Sequence, residues 1–215
     1  MESNGSAAVG PVREAAAAPC LRTVQQDDPD ARKIETIRTH FARIMEALGL
    51  DLDDDSLKDT PQRVAKMFVN DLFSGLDERN GPTITTFENS YGYTEMLVEK
   101  DITLYSCCEH HFLPIIGKVH VGYFPGRKVV GLSKLNRLVG HYAKRPQVQE
   151  RLTMQIAQGL QEALGTADVA VYIEADHLCV AARGVEDSRS ATVTSYFGGR
   201  FRELEERQAF LAAIR

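Results

Sequence analysis

Cysteine and histidine are scarce in this chain and unevenly placed: Cys107-Cys108-Glu109-His110-His111 stand in one uninterrupted run, and His177 and Cys179 follow as a His-x-Cys pair well downstream. Three of the four cysteines and three of the six histidines fall in these two places. Zinc takes thiolate and imidazole donors in tetrahedral geometry, and three protein ligands with one open position is the catalytic arrangement. A fold that makes one site of the two places must hold distant segments within reach of a single ion, at strand ends where a rigid sheet can keep them. Two ligands come from the first run and one from the second. Cys107 with His110 and Cys108 with His111 have the same spacing, and both pairs can chelate. Adjacent side chains of an extended segment point to opposite faces, whereas a turn lets residues three apart converge. One pair alone can face a given ion, and the spacing leaves open which. Cys20, His40, His120 and His141 read as ordinary packed or surface residues. A disulfide from Cys179 to Cys107 or Cys108 is disfavoured, because nothing in the sequence points to an oxidising compartment.

With 215 residues, 43% of them hydrophobic and 26% charged, the chain can bury one sizeable core. A net charge of −5 and a pI near 5.7 argue against non-specific nucleic-acid binding, though a phosphorylated small molecule can be held locally. No stretch approaches the ~20 apolar residues of a transmembrane helix. The opening Met1-Glu2-Ser3-Asn4-Gly5 and the short alanine run at 15–18 do not make a secretory signal. The expectation is a cytoplasmic protein bound to neither membrane nor nucleic acid.

Residues 1–29 are rich in Ala, Gly, Ser, Pro, Asp and Gln and read as a disordered extension. Residues 30–80 read as an N-terminal helical region. Apolar positions recur at helical spacing over 31–50, and Thr60-Pro61 opens a second helix that runs to Gly75. Over 81–215 the period changes. Residues 96–98, 102–105 and 118–124 read as strands, and Ser133 is placed to cap a helix carrying Leu135, Leu138, Val139 and Tyr142. A longer helix is expected over 147–164, with Gly165 as its stop. Strands are expected over 168–175, 178–182 and 191–197, and a short helix after Arg202. Helices, strands, helices, strands and a last helix fit an α+β fold with a mostly antiparallel sheet.

Several long motifs now stand in order: Cys108-Glu109-His110-His111-Phe112, then Gly131-Leu132-Ser133-Lys134-Leu135-Asn136-Arg137, then residues 145–153 (Arg-Pro-Gln-Val-Gln-Glu-Arg-Leu-Thr), then His177-x-Cys179 with Ala182-Arg183-Gly184. Together they resemble GTP cyclohydrolase I, over roughly residues 31–215. The resemblance implies the tunnelling fold, a four-stranded antiparallel sheet with helices on one face, here as a catalytic domain over 81–215. It implies a homo-oligomer, a toroidal decamer of two face-to-face pentamers with active sites where subunits meet. It selects Cys108, His111 and Cys179 as the Zn2+ ligands and leaves Cys107 as a bystander. It also carries allosteric control as an expectation, while a regulatory protein partner, known in some animal members, leaves no mark in this sequence.

The implied reaction takes GTP and water to formate and 7,8-dihydroneopterin triphosphate, opening tetrahydrofolate or tetrahydrobiopterin biosynthesis. Zinc can lower the pKa of a bound water to roughly 7. Proton donation to N7 of the purine calls for an imidazole that titrates near working pH, and His110 and His177 are the candidates. By resemblance His177 is the main acid/base group and His110 assists. Glu150 accepts paired hydrogen bonds from guanine, with Gln149 beside it in the substrate site. Ser133, Lys134, Arg137 and Arg183 match the family's triphosphate binders, and a helix N-terminus near Ser133 favours anions. Arg63 and Lys66 add charge from a neighbouring subunit, and Glu109 orients a ligand or binds ribose hydroxyls. A non-catalytic zinc-stabilised binding protein is the rival reading. The presence of both imidazoles, Glu150 and the cationic set weighs against it.

Overall fold

The computed structural model of the chain describes residues 28–215, so nearly all of the expected extension, with Cys20, lies outside the described residues. Helix α1 spans Pro29–Ala47; Asp28 caps it by accepting a bond from the Asp30 N–H, and Pro29 suits a first turn that needs no amide donor. Its start is therefore earlier than apolar spacing suggests. Helix α2 (Thr60–Lys66) does not run on evenly to Gly75. It widens into a π-helical stretch over Met67–Leu72, a distortion that apolar periodicity cannot reveal.

The short strands β1 (Thr86–Glu88) and β4 (Lys128–Val130) pair antiparallel at the periphery. The main sheet is built from β2 (Leu97–Cys108), β3 (Pro114–Tyr123), β6 (Val169–His177) and β7 (Thr192–Phe197), all antiparallel in that order. The separate strands expected over 96–98 and 102–105 are one strand, β2, continuous across a register shift between Glu99 and Ile102. Asp101 lies within the shift at φ 60, and the charged Lys100-Asp101 pair hides the continuity in sequence. The two-residue strand β5 (Pro146–Gln147) adds to the outer edge of β2 in parallel, pairing Cys107 with Pro146 and Cys108 with Gln147.

Helices α3 (Leu132–Ala143) and α4 (Gln149–Leu164) cover one face of the sheet. Gly131 occupies the capping position of α3 without a side-chain bond; Ser133, expected as the cap, lies exposed in the first turn. Helix α4 begins at Gln149 rather than 147, because Gln147 is taken into the sheet, and it ends on Gly165 at φ 67 as expected. Leu104, Ile115, Val119, Val121, Leu135, Leu152, Ile156, Leu160, Val171 and Ile173 interdigitate in this core, each contributing about 1.5 to 3 kcal/mol by burial. On the other face, a smaller cluster of Phe124, Ala170, Phe201 and Phe210 is closed by the last helix, α6 (Leu204–Ala213). This is the tunnelling fold, α+β, with α3 and α4 on one face, the short α6 closing part of the other, and a helical region before the sheet. Among the described residues no helix is long and apolar enough to cross a membrane.

The registers fix where distant residues meet. Cys107 pairs with Pro114, and Ile115 pairs with His177, so the β2–β3 turn and the end of β6 emerge side by side. The strand expected over 178–182 is instead the helical turn α5 (Leu178–Ala181). With Ile115 already opposite His177, Pro114 alone remains of β3, and it has no N–H to offer, so pairing ends at Leu178. The backbone turns and closes on itself through Ala182 N–H to the Leu178 carbonyl at 2.9 Å.

Candidate active site

The β2–β3 connection brings one of the two possible chelating pairs to a common side. Phe112 N–H bonds the Cys108 carbonyl at 2.9 Å and Cys108 N–H bonds the Leu113 carbonyl at 2.8 Å, which winds residues 108–112 into a single turn. A turn of that pitch brings residues three apart to one side, and here the pair is Cys108 and His111. Phe112 completes it at φ 53. Cys179, in the first turn of α5, meets them: the donor atoms of Cys108, His111 and Cys179 all lie within 4.8 Å of one another. Donors on a tetrahedral zinc stand roughly 3.5 to 3.8 Å apart, given Zn–S of about 2.3 Å and Zn–N of about 2.0 Å, so a small inward movement completes the set. Burial and the facing Cys108 thiol raise the Cys179 pKa. Two thiols and an imidazole with donor atoms this close are a set that a divalent cation would hold as thiolates and neutral imidazole, so the residues present fit a metal.

Cys107 is buried outside this group, and burial, then the neighbouring Cys108, pushes its thiol up to about 11. Cys107, Cys108 and Cys179 are all free thiols, with no disulfide among the described residues.

His110 is exposed, its Nδ1 3.7 Å from Cys108 Sγ and its Nε2 3.8 Å from Glu109 Oε1. His177 closes β6, with its Nε2 2.8 Å from Gln149 Oε1. Burial lowers the His177 pKa, against the opposing pull of Glu150 and Asp176. Gln149 is buried at the start of α4, while Glu150, next in the chain, is exposed. Glu109 is held by Arg151 Nη2, which donates to Oε2 at 2.5 Å, and Arg151 is itself oriented by the Pro146 carbonyl at 2.8 Å and Gln147 Oε1 at 2.9 Å. Arg183 Nη1 donates to His111 Nε2 at 3.0 Å, which places a guanidinium beside the ligand group.

The remaining cations stand apart. Lys134 and Arg137 line a cavity of about 590 Å³ with Asn70, Asn80, His141 and Lys144, and none of the three ligand candidates is in its wall. Ser133 is exposed on the same helix, and Arg63 and Lys66 are exposed on α2, Arg63 within 3.6 Å of Asp59. One chain thus brings together Cys108, Glu109, His110, His111, Cys179 and Arg183, and separately His177 with Gln149. Sequence reasoning assigns no role to Arg151, Thr153 or Thr194. Arg151 and Thr153 lie within a quoted motif, but Glu109 and Thr194, which they reach, are distant in sequence.

The fold and the site define a tunnelling-fold protein with a Cys-His-Cys group able to hold a metal at the end of its sheet and further imidazoles beside it. Comparison with known proteins agrees and is more specific. The family model for GTP cyclohydrolase I matches residues 37–215. The chain is 57% identical over 195 residues to GTP cyclohydrolase 1 of Flavobacterium johnsoniae, covering 91% of this chain and 87% of that one. It is 53% identical over 198 residues to the Erwinia tasmaniensis protein of the same name, covering 92% and 89%. With that of Actinobacillus pleuropneumoniae the identity is 52% over 213 residues, 97% of each chain. The chain belongs to the GTP cyclohydrolase I family of enzymes.

Proposed function

We propose that the protein opens the imidazole ring of GTP at C8 by zinc-dependent hydrolysis, releasing formate. After rearrangement and ring closure the product is 7,8-dihydroneopterin triphosphate, in the first step of tetrahydrofolate or tetrahydrobiopterin biosynthesis in the cytoplasm. The observation that carries this reading is the convergence of Cys108, His111 and Cys179 within 4.8 Å. Cys108, His111 and Cys179 would hold the zinc, which would supply Lewis acidity for a water nucleophile near neutral pH. Addition of water at C8 requires a proton at N7 of the purine. His177 delivers it and His110 assists the later transfers.

Glu150, exposed at the first turn of α4, accepts paired hydrogen bonds from the N1 hydrogen and the 2-amino group of guanine. Adenine offers no such pair, and an unpaired buried group costs about 1 to 3 kcal/mol, so GTP is chosen over ATP. Glu109, steadied by Arg151, is placed for the ribose hydroxyls or a ligand's orientation. Ser133, Lys134, Arg137 and Arg183 take the triphosphate, with Arg63 and Lys66 contributed by a neighbouring copy. The separation of the Lys134 and Arg137 cavity from the ligand group in one chain supports a site completed between subunits. A toroidal homodecamer, as in the family, would supply it.

The test is incubation of purified, zinc-replete protein with GTP, following formate and the absorbance of dihydroneopterin triphosphate. Both should accumulate. GTP binding without either product would favour a non-catalytic, zinc-stabilised binding protein.

A further inference from the structure

Gln149 is 1% exposed, and both ends of its side-chain amide are engaged inside the protein. Nε2 faces the Thr192 carbonyl at 2.9 Å, the Ile173 carbonyl at 3.2 Å and Thr194 Oγ1 at 3.1 Å. Turning the amide over would set its oxygen against two backbone carbonyls, so the nitrogen must point to the strands and Oε1 must face His177. Behind it the hydroxyl directions are fixed as well. Thr153 Oγ1 gives its only proton to the Gln149 carbonyl at 2.8 Å, so the 2.7 Å contact between Thr153 and Thr194 is donated by Thr194. Thr194 Oγ1 is left to accept from Gln149 Nε2.

We infer that Gln149 is a positioning residue that locks His177 in the tautomer with the proton on Nε2. An amide oxygen can only accept, so the 2.8 Å contact from His177 Nε2 to Gln149 Oε1 requires an Nε2–H. The lone pair of the neutral ring is then on Nδ1. A neighbour that fixes one ring nitrogen sets the role of the other. Gln149 thus acts through His177 rather than by touching GTP: both amide N–H groups already serve Ile173, Thr192 and Thr194. The chain Thr153–Thr194–Gln149–His177 ties α4, β7 and the end of β6 into one directed set of donors.

The catalytic part of this inference rests on the proposed function, but the tautomer does not, and the experiment separates them. The 15N spectrum of zinc-replete, histidine-labelled protein, without substrate, should show His177 with a protonated Nε2 and an unprotonated Nδ1, the signals being assigned by their loss in His177→Gln. A protonated Nδ1 in the neutral ring overturns the inference, whether or not GTP is turned over. In Gln149→Met, a near-isosteric change without donor or acceptor, His177 should lose its single tautomer. The kcat should fall roughly tenfold or more, with the KM for GTP changed by less than about threefold. A variant with an unchanged His177 spectrum and a raised KM would instead make Gln149 a direct substrate contact. Should Gln149→Met not fold, the wild-type spectrum alone decides.

Discussion

The ring of Phe112 lies 5.1 Å, centroid to centroid, from that of Phe73 and 6.2 Å from that of Phe68. Phe112 ends the turn that carries Cys108 and His111, whereas Phe68 and Phe73 belong to the N-terminal helical region. The turn that offers two of the three candidate metal ligands is therefore braced by an element outside the sheet. Two backbone hydrogen bonds close the turn, but Phe112 sits at φ 53, where a side chain is disfavoured, so the ring contacts offset a local strain.

Phe112→Ala should loosen the turn without touching a ligand. Two aromatic contacts at about 0.5 to 1.5 kcal/mol each predict a loss of about 1 to 3 kcal/mol in the stability of the braced turn. The variant should surrender zinc at a lower chelator concentration than the parent. Equal retention in a chelator titration would show that the brace is not used.

Cys107→Ala should leave the zinc content and turnover of the enzyme close to those of the parent. Cys107 lies outside the ligand group, and among the described residues its thiol makes only a long polar contact, 3.9 Å from Sγ to the Cys108 carbonyl. The cost should be confined to packing, about 1 to 2 kcal/mol in thermal unfolding for a small buried side chain. Loss of the metal would make Cys107 a ligand in its own right.

His120 is 6% exposed, and its Nδ1 accepts the Asp101 N–H at 3.2 Å, holding the bulge of β2. Burial lowers its pKa; Asp101 and Glu174 pull it up, Lys118 and Lys100 push it down, and the ring of Tyr172 packs 5.9 Å away. The neutral form is favoured in the fold, so the unfolded chain takes up more protons as the pH falls through about 6.5. This contribution to stability is present above that pH and is lost as the pH drops towards the lower folded value. His120→Asn keeps an acceptor and removes the titration. Its Tm should fall less than the parent's between pH 7 and mildly acidic pH, and parallel curves would contradict this.

Gly117→Ala should be among the more damaging single changes in the sheet. A Cβ there would stand 2.1 Å from the Glu174 carbonyl and 2.5 Å from Ala175 Cβ, both fixed by the β3–β6 pairing. Overpacking usually costs about 1 to 3 kcal/mol, and rigid backbone partners favour the upper end or beyond. Denaturant midpoints or the yield of folded protein would register it.

Elements with a long, clean period were legible in the sequence: α4 and its Gly165 stop, the alternation of β3, and the apolar stripe of α1. Local patterns failed where pairing partners decide the outcome. Leu178-Cys179-Val180-Ala181 is apolar enough for a strand, and only the early start of β3 makes it a helical turn. Gln147 looked like the start of a helix until its pairing with Cys108 took it into the sheet. The site follows the same division. Cys, His and the motif residues announce themselves by type and spacing, whereas the choice of Cys108 over Cys107 depends on a turn closed by the Phe112 and Leu113 backbones. The Arg151–Glu109 and Gln149–Thr194 contacts join residues more than forty positions apart, and no local signal carries them.

The central claim is that Cys108, His111 and Cys179 hold the zinc on which opening of the GTP ring depends. The most direct measurement is formate released from GTP by the same preparation before chelation, after chelation and after zinc is restored, beside a Cys179→Ala variant. The account predicts formate release that disappears with the metal, returns with it, and is absent in the variant at any zinc concentration. Formate release that continues undiminished in metal-free protein or in Cys179→Ala would contradict it.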